Sequence, residues 1–204
     1  MRLPDEYLQR ARGLMDGGQR RILGLVGAPG AGKSTVARAL CEALGGAAVV
    51  VPMDGFHLAN QELVRLGRGG RKGAPDTFDA AGFAALLARI RGATGETVYA
   101  PEFRREIEEP IANAIPVPPE ARLIITEGNY LLLDDAPWPQ VRAQLDECWF
   151  VDVPDDLRIE RLVARHRQFG RDEAAARGWV ASVDEPNARR IEAARAHADL
   201  IFRW

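Results

Sequence analysis

The clearest chemistry in the chain sits in Gly27-Ala28-Pro29-Gly30-Ala31-Gly32-Lys33-Ser34. These residues fit the spacing G-x-x-x-x-G-K-[ST] in full, after an apolar run and before an Ala-rich stretch. Gly27, Gly30 and Gly32 let the backbone curl so that successive N–H groups converge on phosphate oxygens. A helix starting there adds its positive N-terminus. Lys33 brings a mobile positive charge to the β- and γ-phosphates. Ser34 offers a hydroxyl to Mg²⁺, which keeps most of its other ligands as phosphate and water. Of 27 basic residues only Lys33 and Lys72 are lysines, so lysine inside the glycine-rich loop stands out from an arginine-biased background.

Two carboxylates fall where the ends of buried strands are expected. Asp54 follows Ala47–Pro52, and Glu127 follows the apolar run 123–126. In open α/β sheets ligands bind beyond the carboxyl ends of the strands. Either acid alone reads equally well as a turn residue after a strand. Beside a phosphate loop, one can hold Mg²⁺ and the other can take the proton of an attacking hydroxyl. We expect Asp54 to be base and substrate orienter, and Glu127 to join Ser34 at the metal. His57, three residues beyond Asp54, is expected to line an acceptor pocket.

Arg158, Arg161 and Arg165 share one face of a helix by their i, i+3, i+7 spacing. Spacing alone favours a solvated face partnered by Asp156 and Glu160; the other reading is a clamp on phosphates. His166 and His197 show no partner pattern and read as structural or surface residues. Trp138, Trp149, Trp179 and Trp204 read as packing residues.

Positioning these groups requires alternating strands and helices. Residues 3–15 predict an amphipathic helix ended by Gly17-Gly18. Residues 22–26 predict a buried parallel strand, Lys33–Leu44 a helix, and 47–52 a second buried strand. Residues 55–77 look irregular. Asp79 is placed to cap a helix over 80–91. Short strands are expected at 97–99 and 114–117, flanking a charged excursion at 102–109. Buried strands follow at 123–126 and 148–153. Helices are expected over 155–168, 172–182 and 187–198, with a last strand at 200–202. This alternation argues for an α/β fold with a mainly parallel sheet in one domain spanning 1–204.

The formal net charge of −2 gives no sign of nucleic acid or an anionic membrane as partner. Cys41 and Cys148 lack metal-ligand spacing and read as reduced core thiols. The amino-terminal stretch has no apolar core of a secretory signal, and no apolar run approaches the ~20 residues of a membrane helix. A cytoplasmic location is therefore expected. A guanine-reading Asn-Lys-x-Asp segment is absent, which argues against a GTPase. A slowly hydrolysing ATPase switch is the competing class.

With these residues in view, the chain resembles the family of phosphoribulokinase, uridine kinase and bacterial pantothenate kinase. The similarity spans 22–202 and is strongest at Gly27–Thr35, Pro52–His57, Pro75–Asp79, Thr126–Tyr130 and Asp156–Arg171. Within it, Met53–His57, Arg71–Asp76, Tyr99-Ala100-Pro101 and Glu109-Pro110-Ile111 look similar to a bacterial subgroup named for fructose-transport-system kinases. The resemblance implies a P-loop NTPase three-layer α/β/α sandwich acting on ATP and Mg²⁺. It implies nucleotide contacts over Gly27–Thr35, including Ala28, Pro29, Ala31 and Thr35, and Arg161 and Arg165 over the phosphates, which reverses the spacing-based reading. Lys33, Asp54 and Arg165 would be catalytic. Asp76, Tyr99, Phe103 and Arg105, with Asp54 and His57, would surround the acceptor. A lid is implied at about 158–182, and acceptor-side insertions at about 55–78 and 99–115. Asp54-Gly55-Phe56-His57 stands where uridine kinases usually carry an Asp-Ser-Phe-Tyr type segment, and the excursion 102–109 also departs from their pattern. Both departures argue against uridine. A small-molecule acceptor such as fructose is favoured, with nucleoside and pantothenate as alternatives.

Overall fold

A computed structural model describes residues 3–93 and 95–203. In chain order the elements are α1 (Asp5–Leu14), β1 (Arg21–Val26), α2 (Lys33–Leu44), β2 (Ala48–Pro52), α3 (Asn60–Arg65) and α4 (Ala80–Gly92). Then come β3 (Val98–Arg104), β4 (Glu109–Val117), β5 (Leu123–Gly128), α5 (Trp138–Arg142) and β6 (Glu147–Asp152). The chain continues through α6 (Asp155–Gln168), α7 (Glu173–Trp179), α8 (Glu185–Ala193) and β7 (Leu200–Arg203).

Five strands form a parallel sheet in the order β2-β5-β1-β6-β7. Both faces of this sheet are covered, so its strands are apolar at nearly every position rather than alternating. Ile22, Ile124 and Phe150 point to one side, where they meet Phe83 and Leu87 of α4, Trp138 of α5 and Ile191 of α8. Leu23, Leu25, Ile125 and Trp149 point to the other, against Tyr7 and Ala11 of α1 and Val36 and Leu40 of α2. Each of these large side chains, fully buried, contributes roughly 1.5–3 kcal/mol relative to exposure. The result is a three-layer α/β/α sandwich of the P-loop type.

Helix starts follow local chemistry. Asp79 caps α4 by accepting from the Gly82 N–H at 2.8 Å, as its position in the sequence predicts. Asp172 caps α7 in the same way through Ala175.

Several expectations need correction. The excursion 102–109 is the tip of a hairpin: 102–104 and Glu109 belong to β3 and β4, an antiparallel pair forming its own two-stranded sheet, and 105–108 make the turn between them. Residues 55–77 hold the short helix α3 and three 3₁₀ turns rather than irregular chain throughout. The short helix α5 went unanticipated. The break expected between 182 and 187 is absent: α7 runs through a π-helical turn, Val180–Asp184, directly into α8, which ends at Ala193 rather than 198. Pro186 interrupts nothing because it lies in the first turn of α8. Trp138 and Trp149 are buried as expected, whereas Trp179 is only partly buried. Trp204 lies outside the described residues. Cys148 is buried and Cys41 half-buried, both as free thiols. Among the described residues no helix is long and apolar enough to cross a membrane.

Candidate active site

The carboxyl ends of β1, β2 and β5 open into a cleft of ≈ 650 Å³, walled by the hairpin on one side and by α6–α8 on the other. The turn from β1 to α2 forms its floor. Pro29, Gly30, Gly32, Lys33, Ser34 and Thr35 all line it. Gly27, Ala28 and Ala31 are buried beneath, contributing backbone. Gly30 needs its missing side chain on two counts. Its φ is +83°, and an added Cβ would stand 2.6 Å from the Arg158 carbonyl oxygen of α6.

Lys33 is buried, and its ammonium donates to the carbonyls of Gly27 at 2.9 Å and Ala28 at 3.2 Å. Burial pushes it down to about 8, against the support of Glu127 and Asp54. Ser34 donates its hydroxyl proton to Glu127 Oε1 at 2.9 Å. Burial, with Asp54 adding to it, pushes the Glu127 carboxyl above its ordinary value; Lys33 and the Ser34 hydrogen bond oppose the rise. A hydroxyl and a carboxylate in contact beside a lysine suit a divalent cation that also holds phosphate. Among the described residues no group of three or more His, Cys, Asp or Glu could hold a metal by itself, so such a cation would complete its shell from phosphate and water.

Asp54 stands in the 3₁₀ turn Met53–Phe56 just past β2, facing the hairpin. The hairpin approaches this turn so closely that a Cβ on Gly55 would lie 2.4 Å from the Pro101 carbonyl oxygen. Arg105, at the hairpin tip, comes within 3.6 Å of the Asp54 carboxylate, an ion pair rather than a hydrogen bond. His57 Nδ1 lies 2.8 Å from the Asp54 carbonyl oxygen, and its ring packs between Phe78 at 4.0 Å and Phe103 at 4.6 Å. Burial holds the His57 imidazole below its ordinary value, against the pull of Asp54.

From the opposite wall, Arg161 and Arg165 of α6 line the cleft. Burial first, and Arg105 next, hold Arg165 below the usual guanidinium range. Arg158, on the same helix, is turned into the protein instead.

The structure thus brings together Lys33, Ser34, Asp54, His57, Phe103, Arg105, Glu127, Arg161 and Arg165. It leaves two expected acceptor residues outside. Asp76 is held by Arg71 and, at 3.4 Å, by Arg68, away from the cleft. Tyr99 is on the solvent side of the hairpin, 52% exposed.

Other residues line the cleft as well: Lys72, His166, Arg171, Trp179, Asp184 and Asn187, of which His166, Arg171 and Trp179 fall within the implied lid. Lys72 donates to Asn60 Oδ1 at 2.6 Å and to the Glu108 carbonyl, with Phe103 beneath it at 5.1 Å. His166 Nε2 lies 2.8 Å from Asp184 Oδ2, and its Nδ1 lies 2.8 Å from Arg171 Nη1. Arg171 stacks 4.0 Å over Trp179, so Trp179 is part of the cleft wall rather than core. Only the rarity of lysine could have drawn attention to Lys72.

A phosphate loop with a strand-end acid at its serine and an arginine-bearing helix over its mouth defines a P-loop kinase site. The family model described as "Phosphoribulokinase / Uridine kinase family" matches residues 22–203, and the chain belongs to that family. A proposed uridine kinase of Schizosaccharomyces pombe is 40% identical over 172 residues, covering 80% of this chain and 71% of the relative. An ATP-dependent kinase-like protein of Aspergillus versicolor is 39% identical over 148 residues, covering 68% and 86%. The crystal structure of a proposed fructose transport system kinase from Silicibacter sp. TM1040 superimposes with a TM-score of 0.89 at 42% identity, covering 97% of each chain.

Proposed function

We propose that residues 1–204 form one kinase domain that transfers the γ-phosphoryl group of ATP to a hydroxyl of a small polar metabolite, with a sugar such as fructose the favoured acceptor. The observation that carries this reading is the meeting of Lys33 and Ser34 with both strand-end acids, Glu127 and Asp54, in one cleft. The loop amides and Lys33 would cradle the phosphates. Arg161 and Arg165 would face them from α6 and offset charge on the transferring group. Ser34 and Glu127 would hold Mg²⁺, which when bound neutralises charge on the β- and γ-phosphates. Asp54 would accept a hydrogen bond from the acceptor hydroxyl and take its proton as the new O–P bond forms; the bond from the γ-phosphorus to the bridging oxygen breaks and ADP leaves. Arg105, too distant to hydrogen-bond Asp54, leaves that carboxylate able to accept.

Two features support a sugar. The solved relative at 42% identity carries fructose transport in its name. The acceptor side mixes the acids Asp54 and Glu108 with the cations Lys72 and Arg105 beside the rings of His57 and Phe103, a set suited to hydroxyls with apolar C–H faces.

Asp54→Asn tests the mechanism. We expect MgATP binding to persist and transfer to fall by about 10²–10⁴-fold. Near-wild-type turnover of an acceptor by this variant would overturn the base assignment.

A further inference from the structure

Arg158 is a buried cation that the proposed chemistry does not use. Its side chain is only 3% exposed. It extends from the first turn of α6 toward three separate pieces of the cleft wall. Nε donates to Asp155 Oδ1 at 3.1 Å, on its own helix. Nη2 donates to Glu185, the first residue of α8. Nη1 approaches the Pro29 carbonyl oxygen, at the crest of the phosphate loop, at 3.4 Å. The backbone repeats this join. The Arg158 carbonyl and the Leu162 side chain occupy the space a Cβ on Gly30 would need, so α6 and the loop crest pack without a gap.

Each joined piece presents cleft residues. The loop gives Lys33 and Ser34, α6 gives Arg161 and Arg165, and the segment around Glu185 gives Asp184 and Asn187. Burying a guanidinium is costly unless it is paired and hydrogen-bonded, and removing a partner strands the charge. The network therefore has one well-satisfied arrangement, in which loop crest, α6 and α8 hold a fixed mutual position.

We propose that Arg158 is a positioning residue: it fastens the phosphate-loop crest to the arginine-bearing helix, so that nucleotide binding and phosphoryl transfer both depend on a side chain that touches neither substrate. This rests on the kinase reading above. It also explains why one arginine of the i, i+3, i+7 face turns inward while the other two face the cleft.

The test compares wild type with Arg158→Met, Arg158→Lys and Glu185→Gln. MgATP affinity is read by calorimetry without acceptor, fold by circular dichroism and thermal unfolding, and kcat and KM by ADP release. Arg158→Met is expected to weaken MgATP binding and lower kcat by about tenfold or more each. Arg158→Lys should recover part of both losses, because it keeps the charge without the fork that reaches three partners. Glu185→Gln should move both in the same direction by a smaller factor. A folded Arg158→Met with wild-type MgATP affinity and kcat overturns the proposal. If Arg158→Met does not fold, Glu185→Gln decides: wild-type affinity and kcat there overturn it. Wild-type protein that binds no MgATP would instead overturn the kinase reading, and the positioning role with it.

Discussion

The Lys33 ammonium donates to carbonyls of its own loop, and burial has brought it down to about 8. A bound triphosphate would add negative charge beside Lys33 and raise it from that value. His57 provides a cleaner single-residue test. Burial depresses its imidazole, so between the depressed value and the ordinary ~6.5 the unfolded chain binds more protons than the folded one. Stability therefore rises with pH through that window, and is lost as pH falls below ~6.5. His57→Gln should flatten this acid-side slope in thermal melts between pH 5 and 7; an unchanged slope would contradict the burial account. The loop, Asp54 and Glu127 were legible because short-range spacing specifies them. Asp184, Asn187 and His166 were not, because they meet in the cleft only through the packing of α6 against α7 and the π-helical turn.

Helix α6 and the turn before α2 meet at Gly30, where φ is +83° and the Arg158 carbonyl leaves no room for a side chain. Left-handed backbone costs about 1–2 kcal/mol for a non-glycine residue. Gly30→Ala should thus lower the melting temperature by at least about 2–4 °C and weaken MgATP binding. An unchanged melt and affinity would mean the crest can shift freely. The cap of α4 is a smaller lever. Asp79→Ala removes the acceptor for the Gly82 N–H and should cost about 1 kcal/mol, or roughly 2–4 °C in the melt, with activity intact. No shift would mean water replaces the cap. Buried strands were readable as apolar runs, and α2, α4 and α6 from their caps and periodicity. The hairpin was readable only at its base, where strands were expected at 97–99 and 114–117. Pro101, Pro110 and Pro116 and the charges at its tip lower strand propensity, and only its antiparallel partner and the turn at Asp54 make it a strand pair. The π-helical turn before α8 left no sequence mark either, because Pro186 reads locally as a helix break.

At the scale of the molecule, the cleft exists because three independent units converge on one edge of the sheet: the phosphate loop, the hairpin tip and the α6–α8 wall. In the proposed function the first and third would handle phosphate, and the hairpin, with Lys72 and Phe78 beside it, would bound the acceptor. The fold class and the phosphate side were therefore readable from the chain. The acceptor side was read only in part, since Asp76 and Tyr99 left the cleft while Lys72 entered it. The central claim is that ATP is cleaved by transfer to an acceptor. Its most direct test is ADP release by the wild-type chain with MgATP, alone and with a panel of sugars including fructose, nucleosides and pantothenate. We predict that one class, with sugars first, raises ADP release well above the acceptor-free rate and yields a phosphorylated product in equal amount. A rate indifferent to every acceptor would contradict phosphoryl transfer and favour a nucleotide-hydrolysing switch.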